Sequence, residues 1–150
     1  MAGQALSGVP RFCIGAAADP GAKDLDVEMQ KFKAKIDGGA QFFQTQAVFD
    51  MDVLKRFMDR ARAFGKPVLA GLLLVKSAKM ARYMNAHVWG IHVPEDLINR
   101  FERSGDARQE CLAVTAELLG AVRGVADGVH LYALGWEDLV PDILKAAGVT

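Results

Sequence analysis

The chain has 150 residues, 18 Lys and Arg against 18 Asp and Glu, and 51% hydrophobic residues. Such a length suits one domain that buries roughly 70% of its unfolded surface, and it falls short of the roughly 250 residues of a complete (β/α)8 barrel. Zero formal charge removes the electrostatic footprint of a nucleic-acid or anionic-membrane binder, so neither partner is expected.

No stretch approaches ~18 apolar residues, and Met1–Pro10 lacks the basic and apolar regions of a signal peptide. Cys13 and Cys111 are too few for a disulfide framework and fit a reducing compartment, which makes the cytoplasm the expected location. Residues 1–10 read as a leader or linker, and 11–150 as the folded unit.

Phe12–Ala17 is a short apolar run closed by Asp19-Pro20-Gly21, the pattern of a buried parallel strand followed by a turn. Asp24 or Asp26 then caps a helix with Leu25, Met29, Phe32 and Ile36 at helical spacing, stopped by Gly38-Gly39. Gln41–Gln46 is the second strand. Asp50 or Asp52 caps the next helix, whose inner face is Val53, Phe57, Ala61 and Phe64. Pro67 opens a third strand, Val68–Leu74, and Ser77 caps a helix with Ala81 and Met84 inward.

Val88–Pro94 is an extended excursion, and Pro94 suits the first position of a helix over Glu95–Arg103. A long helix with Leu112, Thr115, Leu118, Leu119 and Val122 ends at Gly124. Val129–Leu134 is the last strand. Trp136–Ala147 is a closing helix stopped by Gly148. Strands alternating with helices, with no hairpin turn, predict an α/β fold of parallel βα units. Periodicity alone leaves open a small doubly wound sheet or half of a barrel.

Ligands in parallel α/β architectures bind at the C-terminal ends of the strands. Gln44-Thr45-Gln46 stands at one such end. Amides there suit a heterocycle edge, or they satisfy loop backbone. Phe49 is an aromatic wall at that mouth or a core side chain. Lys31, Lys33 and Lys35 reach a phosphate or form a solvated helix face. His87, His92 and His130 lack metal-pair spacing, so no metal site is expected, and His130 reads as a hydrogen-bonded core histidine. There is no GxGxxG, Walker A or GxSxG motif.

Five segments, in order and in register, resemble the methylenetetrahydrofolate reductase family. They are Phe12–Pro20 (FCIGAAADP), Lys33–Asp50 (KAKIDGGAQFFQTQAVFD), Lys66–Ser77 (KPVLAGLLLVKS), Trp89–Pro94 (WGIHVP) and Asp127–Tyr132 (DGVHLY). The resemblance implies a TIM-type (β/α)8 barrel, of which this chain supplies the C-terminal half, strands five to eight. It implies an FAD-dependent oxidoreductase in one-carbon and methionine metabolism. NAD(P)H reduces the flavin, and the reduced flavin then converts 5,10-methylenetetrahydrofolate to 5-methyltetrahydrofolate.

The same resemblance implies roles residue by residue. Gln46 contacts the folate and the nicotinamide in turn, flanked by Thr45 and Phe49. Glu28 and Lys35 match helix positions that contact the nucleotide portion of FAD, and Ala18 and Asp19 match the mouth near the flavin. Asp19 stands where many relatives carry Tyr or Asn. Leu74 replaces a proline, Met80 an amide that helps hold folate, and Met84 an aromatic of some relatives.

The family's catalytic glutamate and flavin-facing aspartate belong to its N-terminal half, so no catalytic residue is expected in this chain. The expected partners are the folate substrate and the missing half of the barrel or a partner subunit. A second reading is a non-catalytic folate- or flavin-binding or assembly module that self-associates as a homo-oligomer through its open edges.

Overall fold

A computed structural model describes Gly8 and residues 11–149. The expected leader, Gly8 apart, lies outside the described residues. Four strands run β1 (Gly15–Ala18), β2 (Phe42–Ala47), β3 (Val68–Leu73) and β4 (Gly128–Tyr132). Six helices accompany them: α1 (Leu25–Asp37), α2 (Met51–Ala61), α3 (Ala78–His87), α4 (Glu95–Arg103), α5 (Ala107–Val122) and α6 (Val140–Ala146).

All three strand pairings are parallel, and the spatial order is the chain order β1-β2-β3-β4. A doubly wound sheet reverses direction at a switch point, and this one does not. Right-handed crossovers in a constant direction put every helix on one face. The architecture is therefore α/β with unidirectional βα units, consistent with part of a TIM-type barrel.

The caps follow from local chemistry. Asp24, Asp50 and Asp106 are extended residues whose carboxylates accept the N–H groups two and three positions on, at the starts of α1, α2 and α5. Ser77 Oγ accepts the N–H of Met80 at 3.1 Å. Pro94 takes the cap position of α4 itself, one residue earlier than expected.

The core lies between the sheet and the helices. Phe32 of α1 stacks on Phe43 of β2 at a centroid distance of 3.6 Å, and Phe57 of α2 meets Phe32 edge-on at 5.9 Å. Leu54, Val68, Ala70, Leu72 and Leu74 extend this layer, all buried. Leu74 is thus a core side chain.

The second and third strands differ from expectation by one residue, at Phe42–Ala47 and Val68–Leu73, and three other boundaries differ for identifiable reasons. Pairing in β1 begins at Gly15, because Phe12 and Ile14 are 74% and 48% exposed and have no strand beyond them. β4 stops at Tyr132 because Leu134 (φ 51°) and Gly135 (φ 88°) turn the chain left-handed. The closing helix starts as a 3-10 turn over Glu137–Leu139, and Pro141 then opens α6. His130 is also not a core histidine. It shares with Tyr132 the sheet face opposite the helices, half-buried, with its ring centroid 4.3 Å from that of Tyr132.

Candidate functional site

The C-terminal ends of β1 and β2 meet at an irregularity that aims one side chain. Phe43 pairs with Val68 and Gln44 with Leu69, but the next pair is Ala47 with Gly71. One extra residue of β2 is accommodated there as a bulge. Thr45 Oγ1 accepts the Gly71 N–H at 2.9 Å and donates to the Gln46 carbonyl at 2.7 Å. The Tyr132 hydroxyl donates to the Thr45 carbonyl at 3.1 Å and accepts from Gln44 Nε2 at 3.2 Å.

Position 71 tolerates only glycine, since a Cβ there would stand 2.6 Å from the Thr45 carbonyl oxygen. Thr45, 1% exposed, therefore supports the strand from beneath, while Gln46 projects at the mouth.

Around Gln46 the structure gathers Ala18, Asp19, Glu28 and Lys35. Asp19 and Glu28 are only 4% and 3% exposed. The Asp19 N–H donates to Glu28 Oε1 at 3.0 Å, and the Gly21 N–H donates to Asp19 Oδ1 at 3.0 Å. Lys31 Nζ lies 3.9 Å from Glu28 Oε2. Lys35 Nζ donates to the Ala17 carbonyl at 2.6 Å, tying α1 to the end of β1.

Burial pushes the Asp19 carboxyl above the ordinary carboxylate range. The Gly21 N–H opposes that rise, the charge of Glu28 adds to it, and Lys31 opposes it.

These groups border a cavity of about 120 Å³ that Trp89 also lines. A larger cleft of about 520 Å³ shares Asp19, Glu28, Lys31 and Trp89 and continues along Val27 and Ile91. The turn carrying Trp89 is pressed onto the mouth. Gly90 has φ 78°, and a Cβ there would meet Gln46 Cγ at 3.1 Å.

Phe49, 7% exposed, is not part of this cleft; it lines a neighbouring cavity of about 340 Å³ on the other side of Gly90, beside Val48 and His92. Gln44 and Tyr132 border a fourth hollow, of about 440 Å³, on the open face of the sheet. Met80 is half-buried, and its sulfur accepts the Lys76 N–H at 3.4 Å.

Sequence reasoning missed Trp89, Gly90 and Tyr132. A Trp-Gly pair in a loop between two helices, and a tyrosine two residues after a strand histidine, were the available signals. Among the described residues no group of three or more His, Cys, Asp or Glu is placed to hold a metal ion. No described helix is long and apolar enough to cross a membrane.

A unidirectional parallel sheet, with amide, carboxylate and ammonium groups converging beyond its strand ends, defines an α/β domain of the partial-barrel class with a polar mouth at its strand ends. The chain belongs to the methylenetetrahydrofolate reductase family. The model of that family, described as methylenetetrahydrofolate reductase, matches residues 7–148. The 5,10-methylenetetrahydrofolate reductase of Escherichia coli is 31% identical to it over 96% of this chain and 52% of the relative. A probable methylenetetrahydrofolate reductase (NADPH) of Caenorhabditis elegans is 26% identical over 92% of this chain and 22% of the relative. The methylenetetrahydrofolate reductase 1 of Schizosaccharomyces pombe is 25% identical over 92% and 24%. The chain thus spans about half the bacterial relative and about a quarter of the other two.

Proposed function

We propose that the chain works as the C-terminal half, strands five to eight, of an FAD-dependent methylenetetrahydrofolate reductase driven by NAD(P)H. On this reading residues 11–150 are the barrel half and 1–10 its linker. A reducing, cytoplasmic setting is part of the same reading and rests on the free thiols of Cys13 and Cys111. The observation that carries it is the convergence of Gln46, Asp19, Glu28 and Lys35 on one mouth.

The donor set fits a flavin dinucleotide: an amide for a ring edge, buried carboxylates for hydroxyl or amino donors, and lysines for phosphates. Ala18 and Asp19 would face the flavin, and Glu28 and Lys35 its nucleotide portion. When bound, the flavin supplies the hydride transfer between nicotinamide and folate. Gln46, which both donates and accepts, orients whichever ring occupies the mouth. Thr45 holds the bulge that aims Gln46, and Phe49 walls the adjoining cavity.

The folate and the other half of the barrel are the partners of this reading. Gln46→Ala in the assembled barrel is expected to weaken folate binding by titration while the flavin absorbance stays. Equal loss of both overturns the assignment. The chain alone is expected to show little or no reductase turnover, because the half that carries the acid is elsewhere. Robust NADH–menadione turnover by the pure chain would overturn that.

A second reading is favoured by the open sheet. β1 and β4 are both edges among the described residues, and the face bearing Phe42, Gln44, His130 and Tyr132 carries no helix. On that reading the half barrel is a non-catalytic binding or assembly module that pairs with a second copy. A stable dimer by solution mass measurement, with no uptake of the other half, would favour it.

A further inference from the structure

A planar peptide turns as one body, so holding its carbonyl also holds the N–H and the two Cα atoms attached to it. Gln46 lies between two such planes, and side-chain hydroxyls hold both. The plane before it carries the Thr45 carbonyl, which accepts the Tyr132 hydroxyl at 3.1 Å. The plane after it carries the Gln46 carbonyl, which accepts the Thr45 hydroxyl at 2.7 Å. These two bonds set the backbone of Gln46, and the backbone decides which side-chain rotamers are open to it.

Tyr132 reaches its carbonyl from two strands away. It belongs to β4 and Thr45 to β2, with β3 between them. The crossing is made at Gly71, where a Cβ would stand 2.9 Å from Tyr132 Cε2 and 2.6 Å from the Thr45 carbonyl oxygen. The tyrosine ring therefore lies against a residue with no side chain. His130, on the same strand, meets that ring at an interplanar angle of 69° and flanks it.

Gln44 fixes where the hydroxyl proton goes. Its Nε2 donates to the Tyr132 oxygen at 3.2 Å. An amide nitrogen only donates, so the single hydroxyl proton is given to the Thr45 carbonyl.

We propose that Tyr132 is a positioning residue for Gln46: its hydroxyl holds the peptide plane that aims the Gln46 amide into the mouth. The proposal rests on the reading of Gln46 as the ring-orienting amide and adds the residue that orients it. It makes β4 part of the site's construction, since a side chain of the last strand sets the direction of one at the end of β2.

The test removes one oxygen. Tyr132→Phe keeps the ring against Gly71, and Gln44→Leu deletes the amide while keeping the hydroxyl bond to Thr45. Circular dichroism confirms folding, and NMR of the isotope-labelled chain reads the Thr45 carbonyl shift and the Gln46 χ1 couplings. The wild-type chain and Gln44→Leu are expected to hold Gln46 in one χ1 rotamer. Tyr132→Phe is expected to move the Thr45 carbonyl signal and to average Gln46 over several rotamers. A Gln46 rotamer unchanged in Tyr132→Phe, lost equally in Gln44→Leu, or already averaged in the wild type overturns the proposal.

In the assembled barrel, Tyr132→Phe is expected to weaken 5-methyltetrahydrofolate roughly three- to tenfold, the range of one lost hydrogen bond, with the flavin absorbance kept. The same change made on top of Gln46→Ala should add nothing, because Tyr132 acts through Gln46. A full further loss in that background overturns the proposal. Rotamer averaging in Tyr132→Phe, with no folate binding by the assembled barrel, upholds the Tyr132 bridge and sinks the reductase reading. Folate binding that Tyr132→Phe leaves untouched does the reverse.

Discussion

Replacing Thr45 by valine removes one hydroxyl and keeps the β-branched shape that suits the strand. In the native chain that hydroxyl accepts the Gly71 N–H at 2.9 Å in a site where Thr45 is 1% exposed. The bulge has removed the ladder carbonyl that would otherwise serve Gly71, so valine leaves a buried donor unpaired. An unsatisfied buried N–H costs about 1–3 kcal/mol. At roughly 2–4 °C per kcal/mol for a domain of this size, a mid-range loss lowers the Tm by about 4–8 °C. Thr45→Ser keeps the acceptor and loses one methyl, which costs about 0.5–1.5 kcal/mol in a packed site.

Thermal and urea melts of the two variants rank them. Amide exchange at Gly71 locates the effect, because protection there should fall in the valine variant and persist in the serine variant. A Thr45→Val protein as stable as Thr45→Ser, with Gly71 still protected, would refute the argument that this hydroxyl carries the bulge.

Asp19→Asn should stabilise the chain at neutral pH. A carboxyl whose pKa burial raises above the ordinary range binds its proton more tightly folded than unfolded, so wild-type stability falls as pH rises through that interval. The gain should be absent in acid below the ordinary carboxylate pKa and full above the raised value, as checked by urea titration across pH. Arg100→Ala should cost about 0.5–1 kcal/mol, because its guanidinium joins α4 to α5 through Glu110 at 2.7 Å and both oxygens of Glu117 at 2.7 and 3.0 Å on a solvated surface. Melts in high salt should shrink that difference. The same pair holds the Glu117 carboxyl below its usual range, so its contribution should be intact above the ordinary carboxylate pKa and fade in acid.

The elements were legible where their causes are local. Asp24, Asp50 and Ser77 announce helix starts because their side chains satisfy backbone donors within the same turn. The spacing of Met29, Phe32 and Ile36 marks the face of α1 that packs on the sheet. The left-handed Leu134 carries no such mark. Lys76, far off in sequence, donates its ammonium to the Leu134 carbonyl. The bulge was hidden for the same reason, since Thr45 meets Gly71 and Tyr132 only across neighbouring strands. Within the candidate site, Gln46 was legible as an amide at a strand mouth. Trp89 was not, because an exposed aromatic in a connecting loop has no periodicity.

The division of the sheet into two unlike faces explains how four βα units hold together as an open sheet. On the helix side the strands present Phe43, Val68, Ala70 and Leu72, all buried, and the aromatic cluster of Phe32 and Phe57 closes over them. That face supplies the driving force for folding, at roughly 25 cal/mol for each Å² of apolar surface removed from water. The open face is mixed in chemistry: Gly15 and Ala17 are small, Phe42 and Leu69 are apolar, and Gln44, His130 and Tyr132 are polar or amphipathic. Leaving it uncovered exposes less apolar surface than the reverse arrangement would. The four βα units therefore form a packed body without help from the open face. The binding mouth follows a different rule, since Gln46 and the Trp89 turn are in place while the opposite rim of a barrel would come from other strands. Stability thus rests on the helix-covered face, and Thr45→Val should lower it whether or not further strands are present.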